Sequence, residues 1–194
     1  MVANVARVSF NKWKDTFDEN DEKLITYLAK HNHKSPFFHP KIQLRVHVPL
    51  FVANQLKKHQ VGFDINEVSR RYVDTKPEMY QPKKWRLKAK DKKQGSSKET
   101  VEVWNMLTQV AFIDCVQIYE HLIEEGIAPE QARMLLPQAM YTTFIWTGSL
   151  YGYFNMHKLR SAPDSQLETQ EVANMIKDII APLFPFSWEA LANA

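Results

Sequence analysis

Apolar and polar residues alternate strictly over residues 42–48. Isoleucine, leucine and two valines occupy every second position, and glutamine, arginine and histidine stand between them. A period of two is typical of a β-strand that buries one face. Pro49 suits the first turn of a helix, and the apolar run after it predicts a helix that ends before Gly62. The sequence therefore predicts a strand that is followed directly by a helix.

Helical patterns predominate in the rest of the chain. The acidic run over 18–22 predicts a helix that begins at Asn20 or Asp21. The elements predicted after Pro49 are a long helix over 99–125, a short helix over 129–136, a strand over 140–147, and helices over 150–160 and 164–180. Helices and separated strands are typical of the α+β class. We therefore predict an α+β fold, and the length predicts a single domain over 1–194.

Composition excludes several classes of protein. An apolar fraction of 44% and an aromatic fraction of 12% exclude a disordered or low-complexity chain. No stretch approaches the roughly 18 apolar residues that a membrane span needs, and the first residues lack the apolar core of a signal peptide. Cys115 is the single cysteine, so an internal disulfide is excluded. We predict a cytoplasmic protein that does not bind a membrane.

The formal net charge of +3 is unevenly distributed. Residues 83–98 contain eight basic residues and one acid, and the rest of the chain is mildly acidic. A lysine-rich run that ends in glycine and serine predicts an exposed basic loop. Contact with phosphate or nucleic acid is an alternative for this loop. However, Trp85 is its one aromatic residue, whereas single-strand binders usually interleave several.

Metal ligation and cysteine chemistry are not favoured. His31, His33 and His39 are close enough in sequence to suggest imidazole ligands, but no acidic ligand follows at a recognised spacing. We therefore predict no metal. Cys115 lies on the apolar stripe of the predicted long helix, where a thiol is an ordinary core residue. No glycine-rich phosphate loop is present.

A concentration of polar residues over 55–71 exceeds what a core requires. Arginines at 133 and 160 lie beside apolar or aromatic stretches further along the chain. Guanidinium groups bind phosphate oxygens in a bidentate manner, and serine and amide groups add neutral hydrogen bonds. Such a mixture suits a nucleotide-like anion. Surface ion pairs with Asp and Glu are the alternative, and the residues alone leave both open.

The string His59-Gln60-Val61-Gly62-Phe63-Asp64-Ile65-Asn66-Glu67-Val68-Ser69-Arg70-Arg71-Tyr72 resembles a known family signature. The signature is that of flavin-dependent thymidylate synthase, Arg-His-Arg followed by a short spacer and Asn-Glu-x-Ser-x-Arg-Tyr. Further blocks resemble the same family in the same order, over nearly the whole chain: 6–10, 31–37, 49–55, Ala132-Arg133-x-x-Leu136-Pro137 with Tyr141-Thr142, and Asn155 with Leu159-Arg160.

The resemblance implies an activity and an assembly. The activity is the reductive methylation of dUMP to dTMP, with methylenetetrahydrofolate and NADPH as co-substrates and FAD as the cofactor that supplies hydride. The fold implied is a central antiparallel sheet flanked by helices. The assembly implied is a homotetramer whose active sites are shared between subunits.

The resemblance also implies site residues. Those implied for dUMP are Gln55, Lys58, Glu67, Ser69, Arg70, Arg71, Arg133 and Arg160. Those implied for FAD are Ser9, Ser35, Lys58, His59, Gln60, Asn66, Glu67, Ser149, Tyr151 and Asn155. Arg160 is the implied catalytic residue, because it would stabilise negative charge as the uracil is activated. The family needs no cysteine nucleophile.

Two positions differ from the family pattern. Lys58-His59-Gln60 stands where the family has Arg-His-Arg, and Ser149-Leu150-Tyr151 stands where members often have Asn-x-Arg. Lysine keeps the positive charge but lacks the planar fork, and Gln60 is neutral. Two alternatives therefore accompany the synthase interpretation. One is a nucleic-acid-binding protein that acts through the loop over 83–98, and the other is a flavin-binding relative without synthase activity.

Overall fold

The structure is a computed structural model that describes residues 1–90, 95–102 and 104–194. The α-helices in the described residues are α1 Val2–Val8, α2 Glu19–Lys30, α3 Leu50–Leu56, α4 Asn105–Glu124, α5 Pro129–Ala132, α6 Leu150–Arg160, α7 Leu167–Ile180 and α8 Pro185–Ala192. The strands are β1 Lys41–Pro49, β2 Phe63–Glu67, β3 Trp85–Lys88, β4 Ser96–Val101 and β5 Tyr141–Ser149. Short 3-10 helices cover Ser35–Phe38, Arg133–Leu135 and Ala181–Leu183.

The strands form two antiparallel sheets. Three strands form one sheet in the order β1–β5–β2, and β3 pairs with β4 in a second sheet. In the first sheet, Gln43 bonds to Thr147 and His47 bonds to Thr143, so β1 and β5 run in opposite directions. The predicted α+β fold with an antiparallel sheet and helices is confirmed.

The chain divides into two compact units. The first unit comprises 1–44, 59–64 and 146–194, and the second comprises 45–58 and 65–145. The single domain expected from the chain length stays a prediction.

The first unit has an aromatic core. The Phe63 ring stacks on Trp146 with centroids 4.4 Å apart and meets the edge of Tyr153 at 4.9 Å. The Tyr153 hydroxyl donates to the backbone oxygen of Trp146 at 2.7 Å, and burial raises the pKa of this phenol. Gly148 lies against the Phe63 ring, and a Cβ there would meet ring atoms at 2.3 Å. Glycine is therefore required at this position for the rings to pack.

An ion cluster joins α1 to α2 in the first unit. Arg7 donates to the carboxylate of buried Asp21, and Lys14 bonds to the same side chain at 3.2 Å. Asp18 caps α2 through the amides of Asn20 and Asp21. Burial raises the pKa of Asp21, but the hydrogen bonds from Arg7, the Asp18 amide and Lys14 outweigh it and hold this pKa below its usual range.

The core of the second unit includes buried residues of α3 and β5. Val52, Ala53 and Leu56 of α3 are fully buried, and the exposed fraction of Phe144 on β5 is 1%. The backbone amide of Leu50 donates to the oxygen of Met140 at 2.9 Å, which fixes the start of α3 beside the start of β5. The predicted strand and helix around Pro49 are confirmed.

Two elements differ from the sequence prediction. The helix predicted over 99–125 is wrong at its start, because 96–101 form β4 and the helix α4 begins at Asn105. The described parts of the predicted loop over 83–98 include two paired strands, in which Trp85 faces Val101. The β-branched residues Thr100 and Val101 favour a strand. Their pairing with Arg86 and Trp85 of β3 stabilises the strand rather than a helix. Residues 91–94 of that loop lie outside the described residues.

The role expected of Cys115 is also corrected. Of the described residues of α4, Val116 and Tyr119 are the buried ones, and Cys115 is part-exposed rather than in a core. Elements α1, β2 and α8 were not predicted. Strand β2 shows no alternation of burial, so it carries no period-two signal.

Replacing Gly148 with alanine tests the aromatic core. Gly148→Ala should lower the free energy of unfolding by about 1–3 kcal/mol, because the new methyl overlaps the Phe63 ring. Denaturant unfolding of Gly148→Ala, Phe63→Leu and the double variant measures the coupling. The double variant should lose less stability than the two single losses combined, since a smaller side chain at 63 relieves the overlap. Strictly additive losses would contradict this packing.

Candidate functional site

The residues of the signature lie beside β5. The amide of Val68 donates to the backbone oxygen of Thr143 at 2.9 Å, which continues the pairing of β2 with β5 beyond Glu67. Ser69 then turns the chain, since its Oγ accepts the backbone amide of Arg71 at 3.3 Å. The signature is therefore held by backbone pairing up to Val68 and turns away at Ser69.

Both carboxylate oxygens of Glu67 have partners. Lys57 donates to Oε2 at 2.7 Å, and the hydroxyl of buried Thr142 donates to Oε1 at 2.8 Å. The ion pair is partly shielded from solvent, since the side chains of Lys57 and Glu67 are 24% and 28% exposed. Two fixed partners hold the carboxylate in one orientation.

A cavity of about 470 Å³ lies in the second unit next to Glu67. Four of the residues predicted for dUMP line it: Glu67, Ser69, Arg70 and Arg133. Arg133 comes from the 3-10 helix after α5, more than sixty residues from Ser69 in sequence, and its Nε donates to the backbone oxygen of Glu130 at 3.3 Å. Arg70 donates to the backbone oxygen of Thr75. Two guanidinium groups and a hydroxyl at one cavity suit an anionic ligand.

The other residues predicted for dUMP do not line this cavity. Arg71 is exposed, and its guanidinium lies 5.1 Å from the centre of the Tyr72 ring. Gln55 is half-buried on α3, and Lys58 is exposed just after it. Arg160 belongs to the first unit.

A histidine at the same cavity was missed by the sequence analysis. The ring of His47 stacks on Tyr141 with centroids 4.7 Å apart. Its Nδ1 lies 2.8 Å from the Thr143 hydroxyl and its Nε2 lies 3.2 Å from a carboxylate oxygen of Glu78. Burial, and then the charge of Glu78, raises the pKa of Tyr141. The alternation over 42–48 placed His47 on the polar face of a strand, but it could not show which groups share that face.

In the first unit, Arg160 and His59 form a hydrogen bond. Arg160 is the last residue of α6, and its Nε donates to Nε2 of His59 at 2.9 Å. Burial, and then the charge of Arg160, lowers the pKa of His59. The neighbouring Gln60 is exposed, and its backbone oxygen accepts the amide of Phe63 at 3.2 Å.

A second, smaller cavity of about 120 Å³ lies in the first unit. Tyr151 and Asn155, both predicted for FAD, line it together with His33, Lys34 and Lys158. The Lys34 ammonium lies 5.7 Å from the centre of the Tyr151 ring. Cations and an amide beside an aromatic ring fit the phosphates and rings of a dinucleotide. The residues present therefore suit one anionic part of FAD, such as a phosphate, at this small cavity.

The remaining residues predicted for FAD are spread over several elements. Ser9 follows α1 and is exposed, and Ser35 begins the first 3-10 helix. Ser149 is fully buried, and its Oγ accepts the Gly152 amide at 3.0 Å as the N-cap of α6. Asn66 is exposed on β2. The structure thus places Tyr151 and Asn155 at one cavity but does not bring Ser9 or Asn66 to its lining.

Comparisons with known proteins decide the family. The family model described as "Thymidylate synthase complementing protein" matches residues 1–186. The flavin-dependent thymidylate synthase of Thermus thermophilus is 37% identical over 97% of this chain and 70% of the relative. The chain belongs to the flavin-dependent thymidylate synthase family. The enzyme of that name from Thermosipho africanus is 35% identical over 97% of this chain and 84% of its own length. The sequence resemblance is confirmed.

One solved structure has a closely similar fold. The UMP/dUMP methylase PolB from Streptomyces cacaoi, bound with 5-Br dUMP, superposes with a TM-score of 0.86. It is 26% identical in sequence and covers 99% of this chain and 89% of its own.

The described residues contain neither a cluster of metal ligands nor a helix suited to cross a membrane. Among residues 1–90, 95–102 and 104–194, no three His, Cys, Asp or Glu side chains are grouped as a metal site would need. None of the helices in the described part of the chain has the length and apolarity that a membrane crossing demands. The cytoplasmic location stays a prediction from the sequence.

Removing the hydroxyl of Thr142 tests the orientation of Glu67. Thr142→Val keeps the shape of the side chain and deletes one of the two carboxylate partners, so the free energy of unfolding should fall by about 1–2 kcal/mol. Urea denaturation measures the loss. Thr147→Val on the same strand is the matched control, since Thr147 bonds an exposed glutamine, and it should change stability by less than about 0.5 kcal/mol. Equal losses in both variants would show that the bond to Glu67 contributes no more to the free energy of unfolding than the bond at Thr147 does.

Proposed function

We propose that this chain converts dUMP to dTMP by reductive methylation, with methylenetetrahydrofolate as the one-carbon donor. The family membership supports the reaction, and the observation that carries it to this chain is the cavity of the second unit. That cavity is lined by Glu67, Ser69 and Arg70 from one segment and by Arg133 from a segment more than sixty residues further along the chain. A single anionic ligand accounts for two arginines and a serine at one place.

The substrate is held mainly by charge and directed hydrogen bonds. Ser69 and Arg133 bind the phosphate of dUMP at the cavity, where Arg70 adds positive charge. Arg71 lies outside the lining but next to Ser69, and it contributes to the same phosphate from there. Gln55 and Lys58 bind the nucleoside. Glu67, held by Lys57 and Thr142, presents a fixed carboxylate next to the bound substrate.

Arg160 is the catalytic residue in this proposal. Its guanidinium lies at the edge of the uracil and stabilises the negative charge that develops on the ring as C5 becomes nucleophilic. The protein needs no thiolate, which agrees with the place of Cys115 within a helix and away from any helix N-terminus. The contribution of the chain is therefore position and electrostatics.

FAD is the cofactor. Ser35, His59, Tyr151 and Asn155 hold it, with Ser9, Lys58, Gln60, Asn66, Glu67 and Ser149 as the further residues that the family pattern implies. When bound and reduced by NADPH, FAD supplies the hydride that turns the transferred methylene group into a methyl group. The lysines at 34 and 158 add positive charge at the same cavity of the first unit.

The proposed assembly is a homotetramer with shared active sites. Helix α4 supports it, because its apolar residues are largely exposed in the single chain: Met106 is 73% exposed, and Leu107, Val110, Ile113 and Ile118 are also exposed. An exposed apolar row of this length marks a contact with another protein surface. A second copy of the same chain buries it in this proposal.

Tritium release tests the activity. Purified protein supplied with FAD, NADPH and methylenetetrahydrofolate should release tritium from dUMP labelled at C5, and Arg160→Ala should lower the rate by about 100-fold or more, because one charge-stabilising group is lost. Arg45→Ala is the control, since Arg45 lies exposed on β1 and outside both cavities. Unchanged release by Arg160→Ala would remove Arg160 from the site, and no release by the wild type would overturn the proposed function.

Light scattering tests the assembly. The wild type should have a mass near four times the 22.7 kDa of one chain. Val110→Glu should lower that mass, because a carboxylate on the exposed row of α4 loses its hydration in the interface. Val8→Glu makes the same change at an exposed residue of α1 and should leave the mass unchanged. A monomeric wild type with full activity would contradict shared sites.

A further inference from the structure

The hydrogen bond between Arg160 and His59 joins two residues that are 101 positions apart in sequence. Both lie in the first unit and both are partly buried. The donor is Nε of the guanidinium and the acceptor is Nε2 of the imidazole, at 2.9 Å. The bond therefore uses the Nε–H, which is attached to the aliphatic part of the arginine side chain. It restricts the orientation of the guanidinium group.

The chemistry of the two groups fixes their protonation states. A guanidinium keeps its proton in proteins and has only donors, so the imidazole must supply a lone pair. His59 is therefore neutral in this pair, with its proton on Nδ1. A protonated imidazole would present an N–H to another N–H and a positive charge to a positive charge, so the bond requires the neutral ring.

We infer that His59 is a positioning residue, which holds the Arg160 guanidinium in one orientation through a neutral imidazole and so directs the two Nη groups of Arg160. The consequence for catalysis rests on the proposed function, in which those groups face the uracil. The pair itself is a property of the folded chain without any ligand.

The surroundings of His59 favour the neutral ring. Burial is the larger cause that lowers its pKa, and the charge of Arg160 is the second. The ring is therefore neutral at pH 7. Because its pKa is lowered, it becomes protonated only at a pH below 6.5, the ordinary pKa of histidine. Arg160 and His59 thus support each other: the cation keeps the ring neutral, and the neutral ring orients the cation.

The titration of His59 in the apoprotein is the first test. Protein labelled with ¹³C at histidine Cε1 gives the pKa of His59 by NMR, and the signal is assigned by its loss in His59→Gln. Arg160→Met should raise the pKa of His59, because it removes a neighbouring positive charge. His157 is the internal control, because it lies on α6 as Arg160 does and burial also lowers its pKa. Its ring bonds to Asn174 at 3.2 Å rather than to Arg160. An unchanged His59 pKa in Arg160→Met would overturn the pairing.

Kinetics of two substitutions at 59 are the second test. His59→Leu removes the acceptor and should raise the dissociation constant of dUMP and lower kcat, each by about tenfold. His59→Gln offers an amide oxygen near the position of Nε2 and should recover most of both losses. His157→Gln should behave as the wild type. All variants are measured at saturating FAD, and their flavin absorbance and thermal unfolding show that cofactor and fold are retained.

The pH profile separates positioning from a simple packing role. In the wild type, kcat/KM for dUMP should fall on the acid side as His59 becomes protonated, and this acid limb should be absent from His59→Gln, whose amide does not titrate. Retention of the acid limb in His59→Gln, or no rescue over His59→Leu, would overturn the inference.

The two proposals fail in different ways. If the wild type neither binds dUMP nor releases tritium, the proposed function fails, whereas the NMR titration still decides whether the pair exists. If the wild type is active and His59→Leu equals it at every pH, the positioning role fails alone.

Discussion

The antiparallel pairing of β2 with β5 is the constraint on which the proposed chemistry depends. The amide of Val68 bonds to Thr143, and at the other end the amide of Ser149 bonds to the backbone oxygen of Gly62. Between these bonds, Thr142 reaches Glu67 and the Phe63 ring stacks on Trp146. Strand β5 therefore contacts both the Glu67 carboxylate and the Phe63 ring.

Charge gives the two units different roles in the proposal. In the second unit, Arg70 and Arg133 gather at one cavity beside a carboxylate that is already neutralised by Lys57. A pre-paired Glu67 repels an incoming phosphate less than a free carboxylate does. In the first unit, Arg160 is held by a neutral histidine, which orients its charge without cancelling it. In the proposal, both arrangements direct positive charge toward an anionic nucleotide.

Local patterns predicted much of the fold. Alternation over 42–48 predicted β1, the β-prone run over 140–147 predicted β5, and the helix predicted over 150–160 has the observed bounds of α6. The predicted start of the long helix, at 99, was wrong because residues 96–101 pair with β3, and no local pattern in the sequence shows that pairing. Strand β2 escaped detection for the same reason, since it is largely exposed and depends on β5.

The site was only partly predictable. The signature predicted Glu67 and Ser69, and a later block of the family pattern predicted Arg133; the structure brings all three to one cavity. The family pattern gave no partner for any of them: Lys57 and Thr142 are found only because α3 and β5 are adjacent to Glu67 in space. The bond between Arg160 and His59 was likewise invisible, since each was assigned separately. Pairwise contacts between distant segments are a property of the folded chain.

A crystal structure of the assembled protein with dUMP bound would locate the nucleotide relative to these arginines. We expect phosphate oxygens within hydrogen-bond distance of Ser69, Arg71 and Arg133, and the uracil edge within reach of the Nη groups of Arg160. A nucleotide bound elsewhere, with Arg160 on a surface that faces no ligand in any subunit, would contradict this expectation.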